Sequence, residues 1–153
     1  MFAYSCAMFR LLWMLVAALL PAMAGAALGD TVQSVEADRV ALKASLRLVA
    51  GARFTVQEMQ TSEGTLIREY ISPQGMVFAL TWQGHFMPNL QQILGRFFAP
   101  YNNSVQAGRK GRSAVSVVTP ELIVHSRGRP RAFFGMAYLP QALPAGVTLD
   151  ELR

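Results

Sequence analysis

REYISPQGMVFALTW, Arg68 to Trp82, is the stretch on which the reading of the fold turns. An Arg-Glu-Tyr-Ile run stands before Ser72-Pro73-Gln74-Gly75, and a run holding Phe78, Leu80 and Trp82 follows it. Proline presets φ where a turn begins and glycine accepts the positive-φ position that closes a three-residue hairpin loop, so the two runs read as antiparallel neighbours. Ser62-Glu63-Gly64 has the same form seven residues after a third alternating run begins. Two such turns set the register: Thr61 faces Thr65 and Ser72 faces Met76. Counting outward places Phe54, Val56, Leu66, Tyr70, Met76, Phe78, Leu80 and Trp82 on one face, with Tyr70 across from Phe78 and Leu66 across from Trp82. Thr55, Gln57, Met59, Ile67, Glu69, Ile71, Val77, Ala79 and Thr81 fall on the other. The aromatic face is expected to lie buried under helices.

The same count sets Glu58 opposite Arg68, with Leu80 beyond. A charged recognition site on an apolar wall is one reading of that pair. The other is a structural ion pair, a cross-strand contact in which the arginine stem lies over apolar neighbours, and it requires no ligand. We adopt the second.

Working outward, Ser34 before Glu36 and Asp38 suits a helix start, and Val35, Leu42, Leu46 and Val49 share one helical face, which predicts a helix over 35–47 closed by Gly51. After Trp82, a loop carrying His85 leads to Asn89, a cap for a second helix of about ten residues in which Leu90, Ile93, Leu94, Phe97 and Phe98 recur at three and four, ending at Pro100. Asn102 to Ser113 is polar, basic and glycine-bearing and reads as a loop. Strands are expected at Val115–Val118, Leu122–Ser126 and Ala132–Leu139, and Thr148-Leu149-Asp150-Glu151 forms a capping box. The sum is an α+β domain: a mostly antiparallel sheet of five to six strands with two helices packed on one face.

The chain of 153 residues opens with Arg10, an apolar run from Leu11 to Leu20, Pro21 and small residues. That is the layout of a secretory signal peptide, too short in its apolar part to span a bilayer. Cleavage is expected after Ala26, which divides the chain into a leader, 1–26, and a single exported domain, 27–153, with no transmembrane segment. The one cysteine, Cys6, falls in the leader, so the mature chain is expected to have no disulfide, thiolate metal site or cysteine nucleophile. Localisation is expected to be periplasmic or secreted.

Chemistry is narrowed by elimination. The two histidines, His85 and His125, lie in different elements, and no run has metal-ligand spacing, so neither a metal nor a cofactor is expected. No nucleophile-elbow motif is present. His85, on a glycine-flanked loop at the end of the aromatic strand, is the single candidate for acid–base catalysis, against its reading as a surface residue. The formal net charge is +5, and from Arg96 to Arg131 the only acid is Glu121. Arg109, Lys110 and Arg112 in one loop, with Arg127, Arg129 and Arg131 around one hairpin, are the candidate binding residues for a lipid headgroup, lipopolysaccharide or acidic glycan. Export argues against nucleic acid as the partner.

Several of these stretches resemble a known family as a set: Ala27-Leu28-Gly29, Ser34 to Asp38, Arg68 to Pro73 with Gly75, Val77-Phe78-Ala79, Trp82-Gln83-Gly84, Pro88, Leu90, Ala137 to Pro140, and Leu143 to Val147. The chain resembles the domain of unknown function 2844 family, small exported proteins of Gram-negative bacteria, over essentially all of its mature length. The resemblance implies export and a single domain and carries no activity, substrate or catalytic residue. The function expected is that of a non-enzymatic binding or accessory protein of the cell envelope, its partner an envelope protein or an anionic envelope component. Alternatives are an anion-binding module using loops 108–112 and 127–131, and a small hydrolase or lyase using His85.

Overall fold

A computed structural model describes residues 27–31, 45–107 and 114–152. They form one antiparallel sheet of seven strands in the order β1-β2-β3-β4-β7-β6-β5. The strands are β1 (Ser45–Ala50), β2 (Thr55–Gln60), β3 (Leu66–Ile71), β4 (Val77–Gly84), β5 (Ala114–Val118), β6 (Ile123–Arg129) and β7 (Ala132–Tyr138). Two meanders, β1 to β4 and β5 to β7, are joined by one helical arm, and β7 closes the sheet by pairing with β4.

Both glycine turns form as expected. The Thr61 N–H donates to the Thr65 carbonyl at 2.9 Å and the Ser72 N–H to the Met76 carbonyl at 2.9 Å, with φ of 83° at Gly64 and 80° at Gly75. Beyond the second turn the expected register fails. Ile71 pairs with Val77, but Tyr70 pairs with Ala79, so Phe78 is an extra residue on β4 and the ladder carries a β-bulge. Phe78 and Ala79 therefore both join Tyr70 on one face, and every later residue of β4 is inverted from the simple alternation. Leu66 lies across from Gln83 and Arg68 across from Thr81, not from Trp82 and Leu80.

The core is divided accordingly. Met59, Ile67, Ile71, Val77, Leu80, Trp82, Val124 and Ala137 point to the face covered by the helical arm, where Ile93, Leu94 and Tyr101 meet them. Tyr70, Phe78, Ala79 and Tyr138 point to the opposite face, with Phe54 and Val56 beside them. Phe54 meets Tyr70 edge-on, with ring centroids 5.7 Å apart. That side is covered by the C-terminal tail, whose Leu152 is buried against it. The expectation of an aromatic face beneath helices is thus corrected: Trp82 lies under the helical arm, and Tyr70 and Phe78 lie under the tail.

The element count also changes. Of the helix expected over 35–47, residues 35–44 lie outside the described residues, and Ser45, Leu46 and Arg47 belong to β1. Leu46 and Val49 satisfy a helical spacing, but Leu46 and Leu48 alternate, and the Gly51 N–H donating to the Phe54 carbonyl at 2.9 Å turns this segment back onto β2. β1 is the strand missing from the expected five to six. The second helix starts as expected, the Asn89 side chain accepting from the Gln92 N–H at 3.3 Å. It then runs as α1 (Leu90–Leu94), a 3-10 turn (Gly95–Phe97) and α2 (Phe98–Ala107), so Asn102 to Ala107 is helical. Pro100 does not end it, because proline in a first helical turn removes no N–H that the helix needs. The break falls at Gly95 instead, at φ 50°, where a Cβ would stand 2.1 Å from that of Ala27.

Ala27 and Leu28 are buried, and the Leu28 N–H donates to the Ile93 carbonyl at 3.1 Å while the Gly29 N–H donates to that of Val77 at 2.8 Å. The expected leader lies outside the described residues. No helix among those described is long and apolar enough to cross a membrane.

Gly135 is required by the bulge. It pairs with Trp82, and a Cβ there would stand 2.2 Å from the indole ring. Gly135→Ala is expected to lower stability by about 1–3 kcal/mol, the usual cost of overpacking, measured as a reduced urea midpoint with an unchanged slope.

Burial raises the phenols of Tyr70 and Tyr101 above their ordinary value, for Tyr70 against the lowering effect of a hydrogen bond with Thr81. Below about pH 10 the phenols are neutral in folded and unfolded chains alike; above it the unfolded chain ionises first and stability falls. A series of urea midpoints is expected to decline above about pH 10, and less steeply in Tyr70→Phe.

Candidate binding groove

The register sorts the tail-facing side of the sheet into three rows that cross all seven strands. One is apolar: Val49, Val56, Tyr70, Ala79, Tyr138, Ile123 and Val118. The next is polar: Arg47, Glu58, Arg68, Thr81, Met136, His125 and Ser116. The third holds Ser45, Gln60, Leu66, Gln83, Phe134, Arg127 and Ala114.

The C-terminal tail covers the middle of the apolar row, Val56 to Ile123, and leaves Val49 and Val118 exposed. It leaves β7 through a 3-10 turn (Pro140–Ala142) and ends in a second (Leu149–Glu151). The capping box forms there, the Thr148 N–H donating to Glu151 Oε2 at 2.8 Å. Arg53, in the β1–β2 loop, clasps the tail: Nη1 donates to the Gly146 carbonyl at 2.6 Å and Nη2 pairs with the Glu151 carboxylate. The Thr148 backbone hydrogen bond, with the Arg53 charge adding to it, holds the Glu151 carboxyl below the ordinary carboxylate range.

Beside the tail, the sheet lies open among the described residues. The second and third rows floor a groove of about 690 Å3 whose far wall is the tail at Leu149, Asp150 and Leu152. Leu66, Phe134, Met136, Leu149 and Leu152 make it largely apolar, and Arg68, His125, Arg127, Ser116 and Asp150 supply its polar groups. Such a size and mixture are usual for a small-molecule site. Phe134 is 51% exposed and stands opposite Arg127.

The candidates of the sequence reading that fall among the described residues have definite places. Arg68 Nε donates to Glu58 Oε1 at 2.7 Å, the expected cross-strand ion pair, with both side chains partly exposed. Such a pair contributes about 0.2–1 kcal/mol. Arg68 nonetheless lines the groove, so pairing and site coexist at that residue. Glu69 is buried on the other face, opposite Gln57.

Arg127 lines the groove, and Arg129 lines an adjoining cleft of about 490 Å3 that shares Arg127 and Phe134 with it. Arg131 holds φ 67° at the second position of the Pro130-Arg131 turn, where glycine is favoured. His85 is exposed and lines a shallow cleft of about 440 Å3 together with Arg131 and Phe134. No carboxylate lines that cleft among the described residues. Arg109, Lys110 and Arg112 lie outside the described residues; the strand that follows them starts at Ala114, the register partner of Arg127.

Sequence reasoning missed three features. Arg53 carries no signal that marks it as a clasp. The contact of Ser116 Oγ with His125 Nδ1 at 3.0 Å and the position of Phe134 both depend on the registers of β5, β6 and β7. A two-residue turn at Pro130-Arg131 would have revealed the position of Phe134, since counting back from it puts Arg127 opposite that residue. No group of three or more His, Cys, Asp or Glu among the described residues is placed to hold a metal ion.

The chain belongs to a family described as protein of unknown function (DUF2844), whose sequence profile matches residues 24–152. No curated protein and no solved structure matches it.

Because the Glu151 carboxyl is held low, its limb of the clasp is whole at neutral pH and is lost as the pH falls through that lowered value, while the Arg53 hydrogen bond to the Gly146 carbonyl does not titrate. Glu151→Gln is expected to lower the protection of the Gly146–Leu152 amides at neutral pH to that of the unaltered protein in acid, each rate being divided by the intrinsic exchange rate at its own pH. Hydrogen-exchange mass spectrometry reads both.

Proposed function

We propose that this member of the DUF2844 family is an exported, non-enzymatic binding domain of the cell envelope that holds a ligand in the groove between its sheet and its C-terminal tail. The groove carries this reading: a concave site of about 690 Å3, with Leu66, Phe134, Met136, Leu149 and Leu152 as its apolar lining and a few convergent polar groups among them. The leader-like layout of residues 1–26 supports export to the periplasm or the exterior, and the absence of cysteine after Cys6 suits an oxidising compartment in which no disulfide is needed.

A catalytic reading finds less support. His85 shares its cleft with Arg131 and no carboxylate among the described residues. Ser116 and His125 are within hydrogen-bond reach, but both project from exposed positions on paired strands, without a group set to stabilise an oxyanion. The reading as an anion-binding module through 108–112 and 127–131 is favoured at one point. Arg127, Arg129 and Arg131 form no ion pair among the described residues, and Arg127 opens directly onto the groove.

Expression of the full chain in a Gram-negative host, followed by fractionation, is expected to yield an envelope protein whose mass corresponds to cleavage after Ala26. Native mass spectrometry of that protein is expected to show a bound small molecule, released on denaturation. Ala114→Trp, at an exposed position on the groove wall, is expected to reduce its occupancy at least tenfold without changing the urea midpoint. A cytoplasmic, uncleaved product or an occupancy indifferent to Ala114→Trp would defeat the proposal.

A further inference from the structure

We propose that the occupant of the groove is an anionic amphiphile, a single acyl chain against Phe134, Met136 and the tail leucines with a phosphate or carboxylate head at Arg127 and Arg129. This rests on the binding reading above and names the class of ligand.

The first support is convergence on one exposed ring. Phe134 lines the main groove, the cleft that holds Arg129 and the cleft that holds His85 and Arg131, so it stands where three depressions meet. Leaving a phenylalanine 51% exposed on a strand, with Leu149 42% exposed across the groove, presents apolar surface in pairs rather than singly. A polar ligand gains nothing from those walls. A hydrocarbon chain covers both.

The second support is charge. Arg68, Arg127, Arg129 and Arg131 line these three clefts, and Asp150 is the only carboxylate among the described residues that does so. Arg68 is already engaged by Glu58, while Arg127, Arg129 and Arg131 form no ion pair among the described residues. Arg127 and Arg129 alternate on β6 and so face the same side, next to Phe134 and Ala132 of β7. Two guanidinium groups beside an apolar wall favour an anion attached to a chain, because arginine donates paired hydrogen bonds to phosphate and carboxylate oxygens. A concave site with Arg127 on its lining and Arg129 in the adjoining cleft suits an extracted single molecule better than the plane of a bilayer, which a flat basic face would meet.

The test titrates the exported protein with dodecyl phosphate, below the concentration at which it forms micelles, by calorimetry. One molecule per chain is expected to bind at least tenfold more tightly than either dodecyl maltoside, which keeps the chain and loses the charge, or inorganic phosphate, which keeps the charge and loses the chain. Laurate in place of dodecyl phosphate shows whether a carboxylate head serves as well, and binding of either supports the class. Arg127→Ala/Arg129→Ala is expected to weaken binding tenfold or more, Arg127→Lys/Arg129→Lys to retain most of it, and Phe134→Ala to weaken it severalfold, all with unchanged urea midpoints. Equal binding of dodecyl maltoside, indifference to the arginine variants, or attachment to phosphatidylglycerol vesicles without binding of the monomer would overturn the inference. If the native ligand has a neutral head and is displaced by Ala114→Trp, the amphiphile assignment falls and the groove reading stands; if nothing is displaced by Ala114→Trp, both fall.

Discussion

One extra residue in β4 governs how this molecule is built. At Phe78-Ala79 the ladder takes two residues against Tyr70, and the side chains after it exchange faces. At the bulge, Phe78 and Ala79 complete a cluster with Tyr70 and Tyr138; beyond it, Leu80 and Trp82 complete another with Met59 and Ile67. An unbulged strand would have crowded Phe78, Leu80 and Trp82 onto one face. The helical arm would then have lacked its central contacts. Division of the apolar residues makes a sheet that needs cover on both sides, and the chain supplies two unlike covers, a helical arm and an irregular tail.

The unequal reach of those covers creates the groove. The arm and residues 27–31 belong to a closed face in which even polar side chains such as Gln57, Glu69 and Ser126 are buried. The tail runs along one row of the other face and is clasped by Arg53, and part of the next two rows lines the groove beside it. Those rows are where sheet physics tolerates charge, because their outer surface is solvated. Arginine, histidine and an exposed phenylalanine therefore collect at a site with an apolar wall already in place.

Two pieces of side-chain economy accompany this arrangement. Arg68 serves both as the cross-strand partner of Glu58 and as part of the groove's lining, so its structural role does not withdraw it from the surface. Gly135 accepts the Trp82 ring where any side chain would collide, which lets the indole pack against β7 and links the two meanders through their central pair of strands.

Local chemistry determined much of this by itself. The glycine turns at Gly64 and Gly75, the Glu58–Arg68 pairing across the first of them, the Asn89 cap, the Thr148–Glu151 capping box and the later strands all follow from residues within a few positions of one another, where conformational preference and hydrogen-bond reach act without the rest of the chain. Only the tertiary structure decided the bulge, the strand identity of Ser45–Ala50, the helical continuation past Pro100 and the meeting of Arg127, Phe134 and the tail around one groove. Each of these is settled by which distant surface must be covered. Phe78 and Leu80 have the same apolar character on either face, and Leu46 to Val49 fits a helix or a strand. Burial against remote partners contributes more free energy than the small local difference between those choices.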